Sequence, residues 1–211
     1  MDGLTFNSAG NVTLGDATSD TLTISAAAVT VKTPGATLTI PSNVTINDGL
    51  ALTLGDGGAT AIVAGGTNQG EAGGVADSDL LVNTTGTAAF NGIIGGGSQF
   101  RNLTVTQSGG TTFGAAVTST VGTVTLTDTT GTIEFDGALV APTLTVSAGG
   151  GGYALNLDGG STIANAVTMS NTGAVSLIGG EATAPGNAGS PGKAPDACRL
   201  ARYVAAADAV R

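Results

Sequence analysis

The sequence predicts an all-β protein, and within that class a single-stranded parallel β-helix (β-solenoid), in which one chain winds through stacked coils of short strands. The composition favours strands over helices, because 36 of the 211 residues are Gly and only 10% are charged, while Thr is abundant. Glu, Lys, Gln and Arg, which favour helices, are scarce. Two further observations are the alternation of aliphatic residues with Thr and a repeat of about 20–24 residues.

The repeat is clearest between residues 79 and 180. Its blocks are 79–102, 103–123, 124–143 and 144–166, followed by the shorter block 167–180. Segment 81–87 (LVNTTGT) matches segment 126–132 (LTDTTGT), and Phe recurs at the same phase as Phe90, Phe113 and Phe135, with Leu155 or Leu157 in the next block. We expect these three rings to stack inside successive coils, about 4.8 Å apart.

Each block begins with an alternating stretch such as Leu103-Thr104-Val105-Thr106. Because successive side chains point to opposite faces of a strand, this pattern turns aliphatic residues inward and Thr outward. A Gly-containing break follows, where the missing Cβ permits the tight corner that a coil needs. The second strand carries the Phe, and another Gly or Asn turn closes the coil.

Residues 1–64 form a second predicted repeat zone, in which the repeat length is shorter. Its strands are predicted to start at Leu4, Leu22, Leu38 and Leu52, and the interval shortens from each start to the next. This spacing fits either small coils of two strands or coils of three strands and about 24 residues. The sequence leaves both arrangements open.

Two segments depart from the repeats. Residues 65–78 lack alternation and are predicted to form a loop excursion between the two zones. Residues 181–211 form an atypical Gly-, Pro- and Ala-rich tail, predicted to be either a short helix or a non-native end, and they contain the single cysteine, Cys198. One cysteine allows no disulfide within the chain.

The charge pattern narrows the range of partners. The formal net charge is −9, and residues 1–180 hold twelve acids but only two bases, Lys32 and Arg101. Nucleic acid and anionic membranes are bound through Lys and Arg, so neither is an expected partner. No apolar run approaches the roughly 20 residues of a membrane span, and residues 1–6 lack the features of a signal peptide. Membrane insertion is therefore not expected.

The blocks resemble the β-strand repeats of filamentous-haemagglutinin-like and autotransporter-type bacterial surface proteins, over about residues 1–180. The likeness is carried by the Gly- and Thr-rich cadence of segments such as 131–137 (GTIEFDG) and 171–177 (NTGAVSL). It implies a right-handed parallel β-helix that serves as a structural or adhesive stalk. The chain would then be a fragment of a larger secreted protein, extracellular or on the bacterial cell surface, facing a host cell, a neighbouring cell or a carbohydrate.

A second resemblance supplies an alternative function. Segment 13–21 (TLGDATSDT) is similar to segments of phage tail-fibre proteins. The resemblance implies a fibre shaft, which would be an intertwined trimer. For either kind of stalk, each coil presents strand edges that only its neighbours satisfy, so we expect end-to-end self-association or fraying.

Parallel β-helices also host carbohydrate-active enzymes, which makes the acidic residues candidates for a site. Glycoside hydrolysis needs two carboxylates facing each other, roughly 5 to 9.5 Å apart. Asp128 aligns with a turn, whereas Glu134 and Asp136 share one strand face. That pair could contribute to a Ca²⁺ site, but Ca²⁺ takes about six to eight oxygens, so a solvated strand edge is the preferred interpretation.

The sequence also lacks residues that other common catalytic and binding sites require. The chain has no His, which removes the usual base of a nucleophilic triad and a usual zinc ligand. The glycine run 149–152 has no P-loop Lys beside it. The chain is therefore not predicted to be an enzyme, no catalytic, cofactor-binding or metal residue is assigned, and no cofactor is expected. Asp128, Glu134, Asp136 and Asp158 are predicted to be dispensable for any activity.

Recurring Thr-x-Thr pairs suggest a minor alternative. The pairs Thr104/Thr106, Thr123/Thr125 and Thr143/Thr145 recur at a nearly constant spacing, close to the length of one block. Stacked in register, they would form a flat Thr ladder of the kind that ice-binding solenoids display. Outward Thr is also simply a good strand residue, which is the preferred interpretation.

Overall fold

The computed structural model describes residues 5–26, 28–75, 77–119 and 122–177. These ranges contain strands and no helix, and hence no helix that could cross a membrane. Tail 181–211, with Cys198, lies outside the described residues. The all-β prediction is confirmed.

The strands follow one another in seven coils and the start of an eighth. They are β1 (Thr5–Asn7), β2 (Val12–Thr13) and β3 (Thr21–Ile24) in coil 1; β4 (Val29–Lys32), β5 (Thr37–Ile40) and β6 (Asn43–Ile46) in coil 2; β7 (Ala51–Leu54), β8 (Ala61–Ala64) and β9 (Asn68–Gly70) in coil 3; β10 (Asp79–Asn83) and β11 (Ala88–Phe90) in coil 4; β12 (Asn102–Ser108), β13 (Thr111–Phe113) and β14 (Val117–Thr118) in coil 5; β15 (Thr123–Thr129), β16 (Thr132–Phe135) and β17 (Leu139–Ala141) in coil 6; β18 (Thr143–Val146), β19 (Ala154–Leu157) and β20 (Thr162–Ile163) in coil 7; and β21 (Val175–Leu177) in coil 8.

All strand pairs are parallel, and they build three faces. Face A has the order β1-β4-β7-β10-β12-β15-β18, and face B has the order β2-β5-β8-β11-β13-β16-β19-β21. Face C consists of β3-β6-β9 and β14-β17-β20, which Ile94 joins through parallel bridges to Asn68 and Val117. The fold is a parallel β-solenoid, as predicted.

The N-terminal coils contain three strands each, which answers the question that the sequence left open. Segment 65–78 is also more than a loop excursion, because it contains β9, which pairs with β6 on face C. On face A, β10 pairs in register with β7. The two repeat zones are therefore continuous, and the described residues between β9 and β10, 71–75 and 77–78, contain no strand.

Each block of the sequence repeat corresponds to one coil, since β10, β12, β15 and β18 begin within one residue of the block starts. The match of segment 81–87 to 126–132 is offset by one residue at its beginning, because Leu126 lies in line with Val82 through Val105. The cause is an irregularity in the β10–β12 register after Val82. Leu81 accordingly lies on the outer side of its strand.

The core is a continuous column of aliphatic and aromatic side chains inside the stack. Strands alternate between half-buried outer and fully buried inner positions, as in β5, β7 and β8. Phe90, Phe113 and Phe135 are 0% exposed, and their ring centroids are 5.3 and 4.6 Å apart. The predicted Phe stack is confirmed, and Leu157 continues it in the next coil.

Buried hydroxyls line the corner between faces A and B in five successive coils. We call Thr33, Thr60, Thr84, Ser108 and Thr129 the hydroxyl column, and each is at most 1% exposed. Their hydroxyls hydrogen bond to the backbone or to one another: the Thr60 N–H donates to Thr84 Oγ1 at 3.0 Å, the Thr33 hydroxyl donates to the Ala36 carbonyl at 3.2 Å, and Ser108 and Thr129 share a 3.0 Å hydrogen bond. The column satisfies polar groups that the corner would otherwise bury unpaired.

Candidate functional site

The densest group of acidic side chains in the described ranges lies at the corner between faces B and C in coils 6 and 7. Glu134 lies in β16 and Asp136 immediately follows it, while Asp158 follows β19. One carboxylate oxygen from each lies within 4.8 Å of the others. We call these three residues the acidic corner.

The stacking of coils brings the acidic corner together. Phe135 pairs with Leu157, which places Asp158 directly beside Asp136, one coil further on. The backbone N–H of each donates to the coil before it, Asp136 to the Phe113 carbonyl at 3.0 Å and Asp158 to the Phe135 carbonyl at 2.9 Å. The position of both carboxylates is therefore set by the β ladder.

Glycine follows both aspartates because the coils approach closely there. A Cβ on Gly137 would lie 2.2 Å from the carbonyl carbon of Ala115, and one on Gly159 would lie 2.1 Å from that of Gly137. Neither distance is possible for a real side chain. The close approach of the coils therefore explains the glycine of each Asp-Gly pair. The two aspartate carboxylates come together because the pair recurs at the same position in successive coils.

The chemistry open to the acidic corner is limited by its surroundings. Asp136 is exposed, Glu134 and Asp158 are half-buried, and the Asp158 Oδ1 atom is buried without a hydrogen-bond partner among the described residues. Three carboxylates could give a cation such as Ca²⁺ part of the roughly six to eight oxygens that it takes. Their oxygens lie within 4.8 Å of one another, closer than the roughly 5 to 9.5 Å that separates the two carboxyl groups in glycoside hydrolysis.

The two bases of the described residues lie elsewhere, in ion pairs between coils. Lys32 Nζ is 2.8 Å from Asp56, which lowers the pKa of that carboxyl. Arg101 donates two hydrogen bonds of 3.1 and 2.6 Å to Asp79, and this contact raises the pKa of the guanidinium. Both pairs link adjacent coils on face A and leave the acidic corner without a cation from the described part of the chain.

Asp128 differs from its predicted place. The sequence put it at a turn, whereas it lies within β15, beside Gln107 of β12, and its Oδ1 accepts from the Gly150 N–H at 2.6 Å. The long β12 and β15 strands extend the ladder past the expected turn. The acid that joins Glu134 and Asp136 is Asp158 of the next coil. The match of Leu157-Asp158-Gly159 to Phe135-Asp136-Gly137 is the sequence signal for it.

The Thr ladder exists in a different register from the predicted one. Thr123 pairs with Thr143 and Thr125 with Thr145, as expected, but Thr104 pairs with Thr125 instead of Thr123. The outer row of face A is therefore Thr30, Thr53, Leu81, Thr104, Thr125 and Thr145. Five of these six positions are Thr, in neighbouring strands about 4.8 Å apart.

Two clefts stand out in the described part of the chain. One, of about 310 Å³, lies between the loops of coils 3 and 4 and is lined by Glu71, Gly73, Gly74, Gly97, Ser98 and Gln99. The other, of about 160 Å³, is apolar and lies at the first coil. No residue of the acidic corner lines either cleft.

Tyr153 occupies the corner between faces A and B in coil 7. It is 0% exposed, and its hydroxyl hydrogen bonds to the carbonyls of Ser147 and Leu126 at 2.9 and 3.2 Å. Burial raises the pKa of this phenol to about 12. The ring lies one coil beyond Thr129, the last residue of the hydroxyl column, and its role is structural.

No family model, curated protein or solved structure matches the chain in comparisons with known proteins.

Proposed function

We propose that the chain is a structural or adhesive stalk segment of a bacterial extracellular surface protein, without catalytic activity. The observation that carries this proposal is the unbroken stack: face B runs through eight coils, with one strand of each in a single ladder. Seven coils at about 4.8 Å each give a rod roughly 34 Å long. Such a rod fixes the distance between whatever lies at its two ends, and its side faces repeat from coil to coil.

The energetics suit a segment under mechanical load. Each coil is held to its neighbours by parallel ladders and by side chains stacked in the core, so stability accumulates coil by coil. The inner positions of faces A and B are almost all fully buried from coil 2 to coil 7. Pulling along the axis would have to break the ladders of a coil together.

The outer surface suits weak, repeated contacts with another surface. Its residues are mainly Thr, Ala, Ser and Asn, and its bases in the described ranges are already paired with acids. A carbohydrate or a cell surface therefore fits this surface better than nucleic acid, which needs free Lys and Arg.

Three matched substitutions test the adhesive role: Thr125→Lys on face A, Thr112→Lys on face B and Thr45→Lys on face C. All three residues are half-buried outer residues of regular strands. Beads coated with the chain should adhere to cells or to immobilised polysaccharide, and one substitution should remove adhesion while the other two leave it unchanged. Unchanged unfolding midpoints serve as the folding control.

Other outcomes would favour the competing functions. Cleavage of a polysaccharide that disappears in Glu134→Gln would support a carbohydrate-active enzyme and contradict the proposal. A stable intertwined trimer in light scattering would support a phage fibre shaft. Absence of adhesion by beads coated with the unmodified chain would remove the adhesive role and leave a purely structural one.

Ice binding is a second candidate, because the outer Thr row of face A is in register over successive coils. Thr125→Tyr should abolish any thermal hysteresis, since a ring would disrupt the flat row. Thr45→Tyr on face C is the matched control. Absence of thermal hysteresis in the unmodified chain would exclude this function.

A further inference from the structure

The corner between faces B and C carries an uncharged residue, Asn91, which follows β11 in coil 4. The residue before it, Phe90, is in register with the residues before Asp136 and Asp158. Asn91 therefore occupies in coil 4 the position that these two aspartates occupy in coils 6 and 7. Like each of them it is followed by glycine, and Asn91-Gly92 is the single Asn-Gly pair of the sequence.

An asparagine followed by glycine can lose its side-chain amide without an enzyme. The backbone nitrogen of the glycine attacks the side-chain carbonyl carbon, a C–N bond forms and ammonia leaves, which closes a five-membered succinimide ring. Water then opens the ring at one of its two carbonyls and leaves either aspartate or isoaspartate, in which the main chain runs through the former side chain. Glycine favours the attack because it has no Cβ to shield its nitrogen and because its backbone is permissive.

The structure leaves this pair accessible. Asn91 is exposed, and the Gly92 N–H donates no backbone hydrogen bond to the part of the chain that the structure describes. By contrast, Asn43 and Asn102 are half-buried, and each uses both the nitrogen and the oxygen of its side-chain amide in hydrogen bonds. The side chain of Asn91 can therefore turn toward the Gly92 nitrogen without breaking contacts of the kind that hold those two amides.

We propose that Asn91 is a site of spontaneous deamidation in the folded chain, with water as the co-reactant. The reaction replaces the side-chain amide by a carboxylate and releases ammonia, so the chain gains a negative charge at the corner of coil 4. This inference goes beyond the proposed stalk role and does not depend on it. Its failure would leave the adhesion experiments unaffected.

The aspartate product fits the corner of coil 4. The Asn91 N–H donates to the Ala64 carbonyl of the coil before it at 2.8 Å, as the N–H groups of Asp136 and Asp158 do in their own coils. Asp136 lies two coils away, roughly 10 Å at about 4.8 Å per coil. That separation is about one Debye length at moderate ionic strength, so repulsion between the two charges is weak. The fold should therefore tolerate aspartate here.

The isoaspartate product does not fit, because it adds one carbon to the main chain at a point of close contact. A Cβ on Gly92 would lie 2.1 Å from the carbonyl oxygen of Gly66 in coil 3. The chain is held on both sides of this point, by the Asn91 N–H on Ala64 and by the Ile93 carbonyl, which accepts from the Asn68 N–H at 2.8 Å. A longer main chain between these anchors should strain coil 4.

The first test measures the rate of deamidation in a mildly alkaline buffer, for the folded chain and for the chain unfolded in urea, by peptide mass spectrometry. An exposed corner needs little opening, so the folded rate at Asn91 should lie within about tenfold of the unfolded rate. A folded rate lower than that would show that the ladder protects the corner and would overturn the proposal. An Asn91 that stays intact in both states would overturn it as well.

Two controls accompany this measurement. Asn11 is also exposed but is followed by Val12, whose branched side chain shields the attacking nitrogen, so Asn11 should stay intact. Asn91→Gln should form no acidic species in isoelectric focusing, because glutamine would have to close a larger ring. Conversion of Asn11 as fast as Asn91, or an acidic species that persists in Asn91→Gln, would contradict the assignment.

The second test compares the two products. Asn91→Asp reproduces the aspartate form and should unfold at the same denaturant concentration as the unmodified chain. The isoaspartate form, separated by ion exchange from the incubated chain, should unfold at a lower concentration. Equal destabilisation of both forms would mean that the added charge matters more than the longer main chain, and would overturn the account of how coil 4 accepts the product.

Discussion

Coils 5 and 6 in the middle of the stack and coil 1 at its end are built from the same kinds of strand, yet they differ in how well their inner side chains are covered. Phe113 and Phe135 are 0% exposed, whereas Phe6 is 47% exposed. All three occupy inner positions. The difference shows that burial in a solenoid depends on having a neighbour on both sides, and only secondarily on the residue itself.

The largest expected effect of a single substitution lies in the Phe stack. Phe113→Ala removes a ring that stacks on both Phe90 and Phe135, and it should lower the free energy of unfolding by about 3–5 kcal/mol. Phe6→Ala, the matched change in coil 1, should cost no more than about 1 kcal/mol, because the ring is already half in water. Denaturant unfolding of both variants makes the comparison, and equal costs would contradict the account of the two regions.

A smaller effect is expected at the corners. A Cβ on Gly137 would lie 2.2 Å from the backbone of Ala115, whereas a Cβ on Gly10 in coil 1 would meet nothing within 4 Å. Gly137→Ala should therefore force the coils apart and cost about 1–3 kcal/mol, as overpacking typically does. Gly10→Ala should leave the unfolding midpoint nearly unchanged. A tolerated Gly137→Ala would show that the corner can relax.

The hydroxyl column gives a third comparison, because it begins in coil 2. Thr84 Oγ1 accepts from the N–H groups of Thr60 at 3.0 Å and Gly86 at 2.9 Å. Thr84→Val keeps the shape but removes this acceptor from the buried Thr60 N–H and the part-buried Gly86 N–H, which should cost about 1–3 kcal/mol. Thr13→Val, an exposed Thr in coil 1, should change stability by less than about 0.5 kcal/mol. Hydrogen exchange of the Thr60 amide would locate the loss.

The sequence predicted the middle of the stack better than its beginning, for physical reasons. Between residues 79 and 180 the repeat is marked by Phe at a fixed phase, and aromatic rings stack only if the coils have matching lengths. In residues 1–64 nearly all inner positions are aliphatic, so nothing in the pattern distinguishes two strands per coil from three. The strand β9, with its Asn68-Gln69-Gly70, carries no hydrophobic alternation, and a local pattern therefore predicts a loop there.

The register of strand pairing and the residues of the acidic corner were harder to predict. The irregularity after Val82 shifts the first strand by one residue relative to the second, so a single alignment cannot place both Leu81 and Phe90 correctly. The predicted partner of Thr104 is wrong by two positions, because paired residues of β12 and β15 are 21 positions apart, whereas the two Thr-x-Thr pairs concerned recur after 19. Contact between Asp136 and Asp158 depends on the stacking of coils, which local patterns do not fix.

The smallest expected effect concerns two exposed acids of coil 1. Asp20 raises the pKa of Asp16 above its ordinary value of 3.8, through a hydrogen bond and through repulsion between the two charges. A group with a raised pKa in the folded state contributes stability that is present below the ordinary pKa and is lost as pH rises through the folded-state pKa. Coil 1 should therefore become slightly less stable as pH rises from below 3.8 through that range.

Asp20→Asn removes the neighbouring charge, so the pKa of Asp16 should fall back toward 3.8, as NMR titration of the Asp16 carboxyl would measure. Asp56 in coil 3 provides the opposite case, because Lys32 lowers its pKa. Lys32→Gln should raise the pKa of Asp56 and leave that of Asp16 unchanged. An unchanged pKa of Asp16 in Asp20→Asn would mean that the two acids do not interact, and that coil 1 differs from the middle of the stack in burial alone.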